Sequence, residues 1–471
     1  MVGTADDSYV VDTLTLLPEG EEDVTVEHIG LIVSHLASKK PAITLRCVTL
    51  LRTLLARESA PPIDEVLQSG AIPKLSRLLR NADEKIQFET LWVLSNIASG
   101  TSAHVQQLLS FGILNSVMYS VKTSTSLETV AQGCWCLGNF VGDSKESAIL
   151  LYEQGAVQVL INTFLKNLTQ NKVHVDIIWA ISNSIRFRPT LKHLSLFQPV
   201  IQPIIQLIST AEQPIVSECL YLLSYFTSPC EENLIKHVVD GIEILVEKLN
   251  ETAGTSKTDK QLAINCIKIL GNICSCLDEY GERVVKAGFL PIAKKALSFT
   301  QLATETLFSL SNVIAGPSFN KKQVIDAGLL PDIVQYLNSF NLTTRKEALF
   351  CLLNLCDCDV PEASLYVSCL LQTDVLAFLV NVLSDESVEV IGLCLDLILA
   401  VLHSFVGDSS IVSSFNELGA LDFFKNLQHH SEASVAKSAQ EILEYFEADD
   451  EAEKYDEAES TGLVWTNVLS L

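Results

Sequence analysis

Basic residues are scarce in this chain: 32 Lys and Arg stand against 57 Asp and Glu, a formal charge of −25 over 471 residues. A dedicated nucleic-acid binder needs clustered cations to hold a phosphate backbone, and so acidic a surface repels one and attracts basic partners instead. The N-terminus lacks the basic, apolar, small-residue order of a secretory signal, and the thirteen cysteines are odd in number and scattered, which together predict a soluble protein of a reducing compartment. Cys-x-x-Cys is missing. Three Cys-x-Cys pairs, Cys134/Cys136, Cys274/Cys276 and Cys356/Cys358, fall in apolar helical runs and read as core thiols, so neither a metal nor another cofactor is expected. The longest uncharged stretch, 194–211, is interrupted by Pro199, Pro203 and several Gln, which makes it a poor membrane span. No Gly-x-Ser-x-Gly, phosphate-cradling glycine loop or His-Glu-x-x-His is present, and the histidines are dispersed, so an enzyme is not expected.

Alternation with a period of two is also absent, which excludes a sheet. What is present is a long repeat. An apolar run, a glycine and a second apolar run recur at Gly70, Gly112, Gly155, Gly241, Gly288, Gly328 and Gly419, at intervals of 42, 43, 86, 47, 40 and 91 residues. Two intervals are near double a unit of about 43, so the units near residues 200 and 373 continue without their glycine. Apolar positions recur at i, i+3, i+4 and i+7 within each unit, and the glycine marks a sharp turn between helices. A helical repeat of this length predicts an all-α, armadillo-type right-handed superhelical solenoid of about ten units with a concave surface. The long 47-residue interval contains the polar insertion Leu249 to Lys260, read as a loop. Domain boundaries follow: an acidic, flexible segment 1–23, a repeat domain 24–446 and an acidic tail 447–471.

A second periodicity runs along the last helix of each unit. Asn96, Asn139, Asn183, Tyr225, Asn272, Asn312 and Asn354 close successive units, each with a large side chain four residues earlier: Trp92, Trp135, Trp179, Tyr221, Lys268, Phe308 and Phe350. An acid commonly precedes that side chain by three residues, as at Glu89, Asp176, Glu218, Glu305 and Glu347. Offsets of three and four place acid, ring and amide on one helical face. Rings and asparagines alone would suit a core and a turn. A core has no use for a carboxylate one turn before each ring, however, and mid-helix Asn is costly unless its amide has a partner. Stacked, the units make a ladder suited to an extended Lys/Arg-rich peptide. Indoles form slots for aliphatic stems and offer ring faces to cations, while amides that both donate and accept satisfy peptide bonds.

These residues resemble the importin-α (karyopherin-α) adaptors, receptors for basic nuclear localisation signals. The stretches carrying the resemblance are ARESAPPIDEVLQSGAIPKL (Ala56 to Leu75), QFETLWVLSNIASGTS (Gln87 to Ser102), WCLGNFVGDS (Trp135 to Ser144), LLSYFT (Leu222 to Thr227) and LQHHSEASVAKSAQEILEYF (Leu427 to Phe446). The resemblance implies a major cargo site on Trp92/Asn96, Trp135/Asn139 and Trp179/Asn183, followed by Glu218 and Tyr221. It implies a selective lysine pocket formed by the Gly100 carbonyl and the Asp143 carboxylate. Val105 stands where the family has a threonine, which removes one acceptor, and Asp176 stands where it has an amide, which adds an anion. A minor site is implied on Asn272, Asp278, Glu305, Phe308, Asn312, Glu347, Phe350 and Asn354, weaker because phenyl replaces indole. Lys268, at an arginine position of the family, separates the two.

Residues 1–40 carry only Lys39 and Lys40 as bases against eight acids, so the family's basic importin-β-binding and autoinhibitory segment is not expected within them, whether the sequence is a shortened one or a divergent member's. An open receptor, without importin-β as a partner through this chain, is the expectation, shared between cytoplasm and nucleus. The last repeat and the acidic run Glu444 to Glu459 fall where the family's export receptor engages. The alternative is an armadillo scaffold or sequestering protein that binds basic segments without import.

Overall fold

The computed structural model describes residues 17–18, 20–168, 171–187, 190–254, 257–358, 360–405 and 409–460. Among them there is helix and turn but no strand. Ten helices of at least 15 residues recur in step with the repeat: α1 (Pro41–Leu55), α2 (Glu84–Ala98), α3 (Leu127–Asp143), α4 (Asn171–Ile185), α5 (Gln213–Thr227), α6 (Lys257–Cys274), α7 (Thr300–Ala315), α8 (Leu342–Cys356), α9 (Val388–Ser404) and α10 (Ala433–Ser460). Shorter helices fill the intervals, as Ser102–Ser110 and Ile113–Thr123 do between α2 and α3. The chain divides into two compact units, Met1–Pro229 with α1 to α5 and Cys230–Leu471 with α6 to α10. Within each unit, every long helix packs on the next.

Local sequence explains where the helices begin. Asp83 caps α2 by accepting from the Lys85 amide (2.9 Å), Ser126 caps α3 through the Thr129 amide (3.3 Å), and Asn341 caps α8 through the Thr344 amide (3.0 Å). Six of the seven repeat glycines hold positive φ, from +64° to +94°, a conformation that opens the next short helix at no steric cost to glycine. Gly241 does not: its φ of −97° closes a 3-10 turn, Val239–Gly241. Near residues 200 and 373 the chain turns without glycine, between Ser195–Phe197 and Gln198–Thr210 and between Val360–Leu371 and Val375–Val382. The insertion is shorter than its composition suggests. Helix Ile242–Thr252 reaches into it from one side and α6 begins at Lys257 on the other, since Lys and Glu are good helix formers despite their polarity.

Within each unit, burial holds successive repeats together. Phe140, Phe164, Phe197 and Phe226 are fully buried in the first unit and Phe289, Phe415 and Phe424 in the second, each contributing about 1.5–3 kcal/mol of apolar transfer. Neighbouring repeats are also tied by polar contacts. Glu84, at the start of α2, accepts the backbone amides of Thr125 (2.7 Å) and Ser126 (3.1 Å) at the start of α3. Those amides, the Thr125 one foremost, hold its carboxyl below the usual range.

The segment ahead of the first helices touches the repeats: Leu17 is 3% exposed, and Arg46 and Arg57 on and just after α1 donate to the carbonyls of Pro18 and Val24. At the other end α10 continues past residue 446 to Ser460. The final residues 461–471 lie outside the described residues. Among the described residues, no single helix is long and apolar enough to cross a membrane.

Candidate functional site

The asparagines of the ladder splice one repeat to the next. Asn96 Nδ2 donates to the Arg52 carbonyl (3.4 Å), Asn139 to Ser95 (3.1 Å) and Asn183 to Gly138 (3.4 Å) in the first unit. In the second, Asn312 donates to Gly271 (3.1 Å) and Asn354 to Ser311 (3.0 Å). The acceptor is always the residue one place before the preceding repeat's ladder position. Each of these mid-helix amides therefore has the partner it needs, and its Oδ1 keeps acceptor capacity for a ligand. Asn96, Asn139, Asn272, Asn312 and Asn354 are half-buried, while Asn183 is buried.

The rings differ from a row of open slots. Trp135 and Trp179 are stacked on each other, centroids 4.5 Å apart and planes 18° apart. An aliphatic stem between two rings needs them separated by about 7–8 Å, twice a carbon contact distance, so this slot is closed in the free chain. Trp92 is also occupied: the Arg52 guanidinium lies 4.7 Å above its ring, while Arg52 Nε donates to Glu89 at 2.7 Å. Phe88 meets Trp92 edge-on from behind, at 5.7 Å. In the next repeats the hydroxyls of Tyr221 and Tyr225 pair at 3.0 Å. Trp135 and Phe350 remain the most open of the ladder rings, 40% and 37% exposed, with Phe308 half-buried.

The acids fall into two sets. Glu89 is paired with Arg52, and Glu305 is paired with Lys268 at 3.1 Å. Asp176, Glu218 and Glu347 are half-buried and, among the described residues, have no cation within ion-pair distance. Burial pushes all three carboxyls above the usual range, and at Glu347 the charge of Glu305 adds to it against the pull of Lys346. Gln132 takes the acid position in α3 and donates to Ser95 Oγ at 3.0 Å. Together with Phe88, Leu127, Ala131 and Trp135, and with Ser126 and the carboxylates of Glu128 and Asp176, Gln132 lines a recess of about 530 Å³.

The expected lysine pocket is partly built. Asp143 ends α3 half-buried, its carboxylate accepting from Ser102 Oγ (2.7 Å) and Ser147 Oγ (3.1 Å), so the oxygens are held in place. Gly100 is exposed just past α2, and His104, whose Nδ1 a Gly100 Cβ would meet at 2.4 Å, crowds it. Val105 is wholly buried and offers the pocket nothing polar. In the second unit Asp278 opens helix Asp278–Lys286 as an exposed first-turn acid.

The Cys-x-Cys pairs are only partly helical. Cys134 and Cys136 are fully buried within α3, but Cys276 and Cys358 lie beyond the ends of α6 and α8 and are half-buried. Arg52 is the residue that ring and amide spacing alone passes over. The register finds it: Arg52 and Thr53 lie 43 residues before Ser95 and Asn96.

The armadillo/β-catenin-like repeat family matches residues 59–99. Importin subunit alpha-1b of Oryza sativa subsp. japonica is 26% identical over 268 residues, 56% of this chain and 48% of that protein. Importin subunit alpha-5 of Arabidopsis thaliana is 25% identical over 441 residues, 92% of this chain and 83% of that protein. The chain thus spans about half the length of the rice protein and most of the Arabidopsis one. Among solved structures, an engineered protein is 22% identical with a TM-score of 0.78, covering 90% of this chain and 99% of its own. A chain from a study of cadherin and β-catenin is 12% identical with a TM-score of 0.66, covering 95% and 98%. These two share the fold. The repeat, the ladder and the curated relatives agree on an armadillo-repeat chain that is similar to the importin-α proteins.

Proposed function

We propose that the ladder of the first unit binds an extended Lys/Arg-rich segment of the nuclear-localisation-signal type, and that the chain works as a transport adaptor in cytoplasm and nucleus rather than as an enzyme. The observation that carries this reading is the pair of half-buried carboxylates, Asp176 and Glu218, that have no paired cation among the described residues, on a face shared with rings and amides. A desolvated carboxylate gains most from a partner charge that it does not yet have. Asp143, held by two hydroxyls, would receive an ammonium at the edge of the same unit. Glu347, beside Phe350, is the corresponding acid of a second, weaker site in the other unit.

The test is a fluorescence-anisotropy titration of the full chain with a labelled basic peptide and with the same peptide carrying Gln for Lys. Binding of the first alone, weakened by salt and weakened more than tenfold by Asp143→Lys or Asp176→Lys, is expected. Equal binding of both peptides, or indifference to both substitutions, removes the assignment. A greater loss from Glu347→Lys would reverse the ranking of the two units.

A further inference from the structure

We propose that Arg52 is a resident cation of the ladder, an intrachain occupant of the Trp92 slot that sets where a bound basic peptide must stop. The inference rests on the peptide-binding reading above and refines it. Arg52 makes the contacts that a ligand arginine would seek: its guanidinium covers Trp92 at 4.7 Å, Nε reaches Glu89 at 2.7 Å, and Nη2 reaches Glu21 at 3.2 Å. Thr53 Oγ1 donates to the same Glu21 oxygen at 3.0 Å, which fixes the second acid in place. Glu21 belongs to the stretch that Arg46 and Arg57 hold against α1, so both anions come from within the chain. The Arg52 side chain is 18% exposed, against 55% for Glu21.

A ligand cation arriving at Trp92 therefore meets a covered ring and a carboxylate already paired. Further along, Asp176 and Glu218 have no such partner, and the exposed face of Trp135 is open. The peptide's charges are directed to the stretch from Trp135 to Tyr221, and Trp92 becomes its end stop. Lys268, at a ring position itself, repeats the ion pair alone in the second unit, 3.1 Å from Glu305.

The experiment measures the full chain against two peptides, one with three consecutive lysines and one with five, for wild type, Arg52→Ala, Arg52→Lys and the double variant Arg52→Ala/Trp92→Ala. Vacating the slot should raise the ratio of long-peptide to short-peptide affinity about threefold to tenfold. Arg52→Lys should hold the ratio near that of wild type, and the double variant should lose the gain. A peptide-independent arm adds N-ethylguanidinium, which should raise the melting temperature of Arg52→Ala but not of wild type or the double variant. Should Arg52→Ala fail to fold, Glu21→Gln loosens Arg52 from an exposed position and should move the ratio in the same direction. An unchanged or lower ratio, or a gain that survives loss of Trp92, overturns the proposal. If wild type binds neither peptide, the peptide-binding reading falls, and the N-ethylguanidinium arm alone decides the Arg52 assignment: rescue supports it and its absence overturns it.

Discussion

Trp179 rests on Gly138. A methyl group on that α-carbon would stand 2.5 Å from the ring's Cζ3, so the glycine is what lets the indole lie flat against the preceding helix and reach Trp135. Gly271 and Phe308 repeat the relationship at 2.9 Å in the second unit. Gly138→Ala should therefore cost about 1–3 kcal/mol despite the better helix propensity of alanine. It should also shift the tryptophan emission as the stack is pushed apart. Gly392→Ala is the contrast: nothing lies within 4 Å of its would-be Cβ in the interior of α9, so it should stabilise by about 0.5–1 kcal/mol. Urea melts of the two variants should move in opposite directions.

Asn139→Ala should destabilise the free protein, before any ligand is added. It strips the Ser95 carbonyl of its inter-repeat donor while leaving it the Ser99 amide at 2.9 Å, a loss of about 0.5–1.5 kcal/mol. A chemical melt without peptide checks it. An unchanged midpoint would mean that water replaces the amide freely.

The pH dependence of stability and of binding should run in opposite directions. Burial raises the folded-state carboxyls of Asp176, Glu218 and Glu347 above their unfolded values of about 3.9 and 4.3. Groups with a raised folded pKa contribute stability that is present below the unfolded pKa and lost as pH rises through the folded one. Through these three groups the fold should firm up as pH drops from neutrality into the upper carboxylate range. Glu84 opposes it at lower pH: its depressed pKa contributes stability above the unfolded value, lost as pH falls through the folded one. Affinity for a basic peptide should fall over the interval in which the fold gains, because a protonated carboxyl no longer pairs with a cation. Asp176→Asn should stabilise the free chain and weaken its peptide binding, measured side by side at pH 7.

Native-state thiol labelling should stop well short of thirteen. Cys230, Cys276, Cys358 and Cys369 are half-buried and the other nine are buried. Burial pushes Cys136, Cys266, Cys274 and Cys356 up to about 12, which leaves almost no thiolate to react. Labelling with a thiol reagent under native conditions should modify four cysteines quickly and the remainder only with unfolding.

The repeat length and the faces of the long helices were legible in the sequence because both are periodic, and periodicity survives substitution at any single position. Gly241 and the insertion at Leu249 to Lys260 were misread for the same local reason: glycine and polar composition report solvent and freedom, not the dihedral finally adopted. The acids, rings and amides were legible too as positions along the long helices, Asp176 and Glu218 among them. Their side-chain partners were not. That Trp135 turns toward Trp179, or that Arg52 covers Trp92, depends on rotamers chosen between helices 43 or 44 residues apart in sequence. Spacing along one helix carries no information about that choice.

The splice made by Asn96, Asn139, Asn183, Asn312 and Asn354 changes what such a row can testify to. A descendant of this chain that abandoned its ligand would still have to keep those asparagines, on pain of loosening its joints. The neighbouring rows carry no such bond, and along this chain they vary more, with Gln132 among the acids and Tyr221, Lys268, Phe308 and Phe350 among the rings, against Tyr225 among the amides. In any protein assembled this way, persistent amides record the architecture's upkeep, and the memory of a ligand is kept in the acids and the rings.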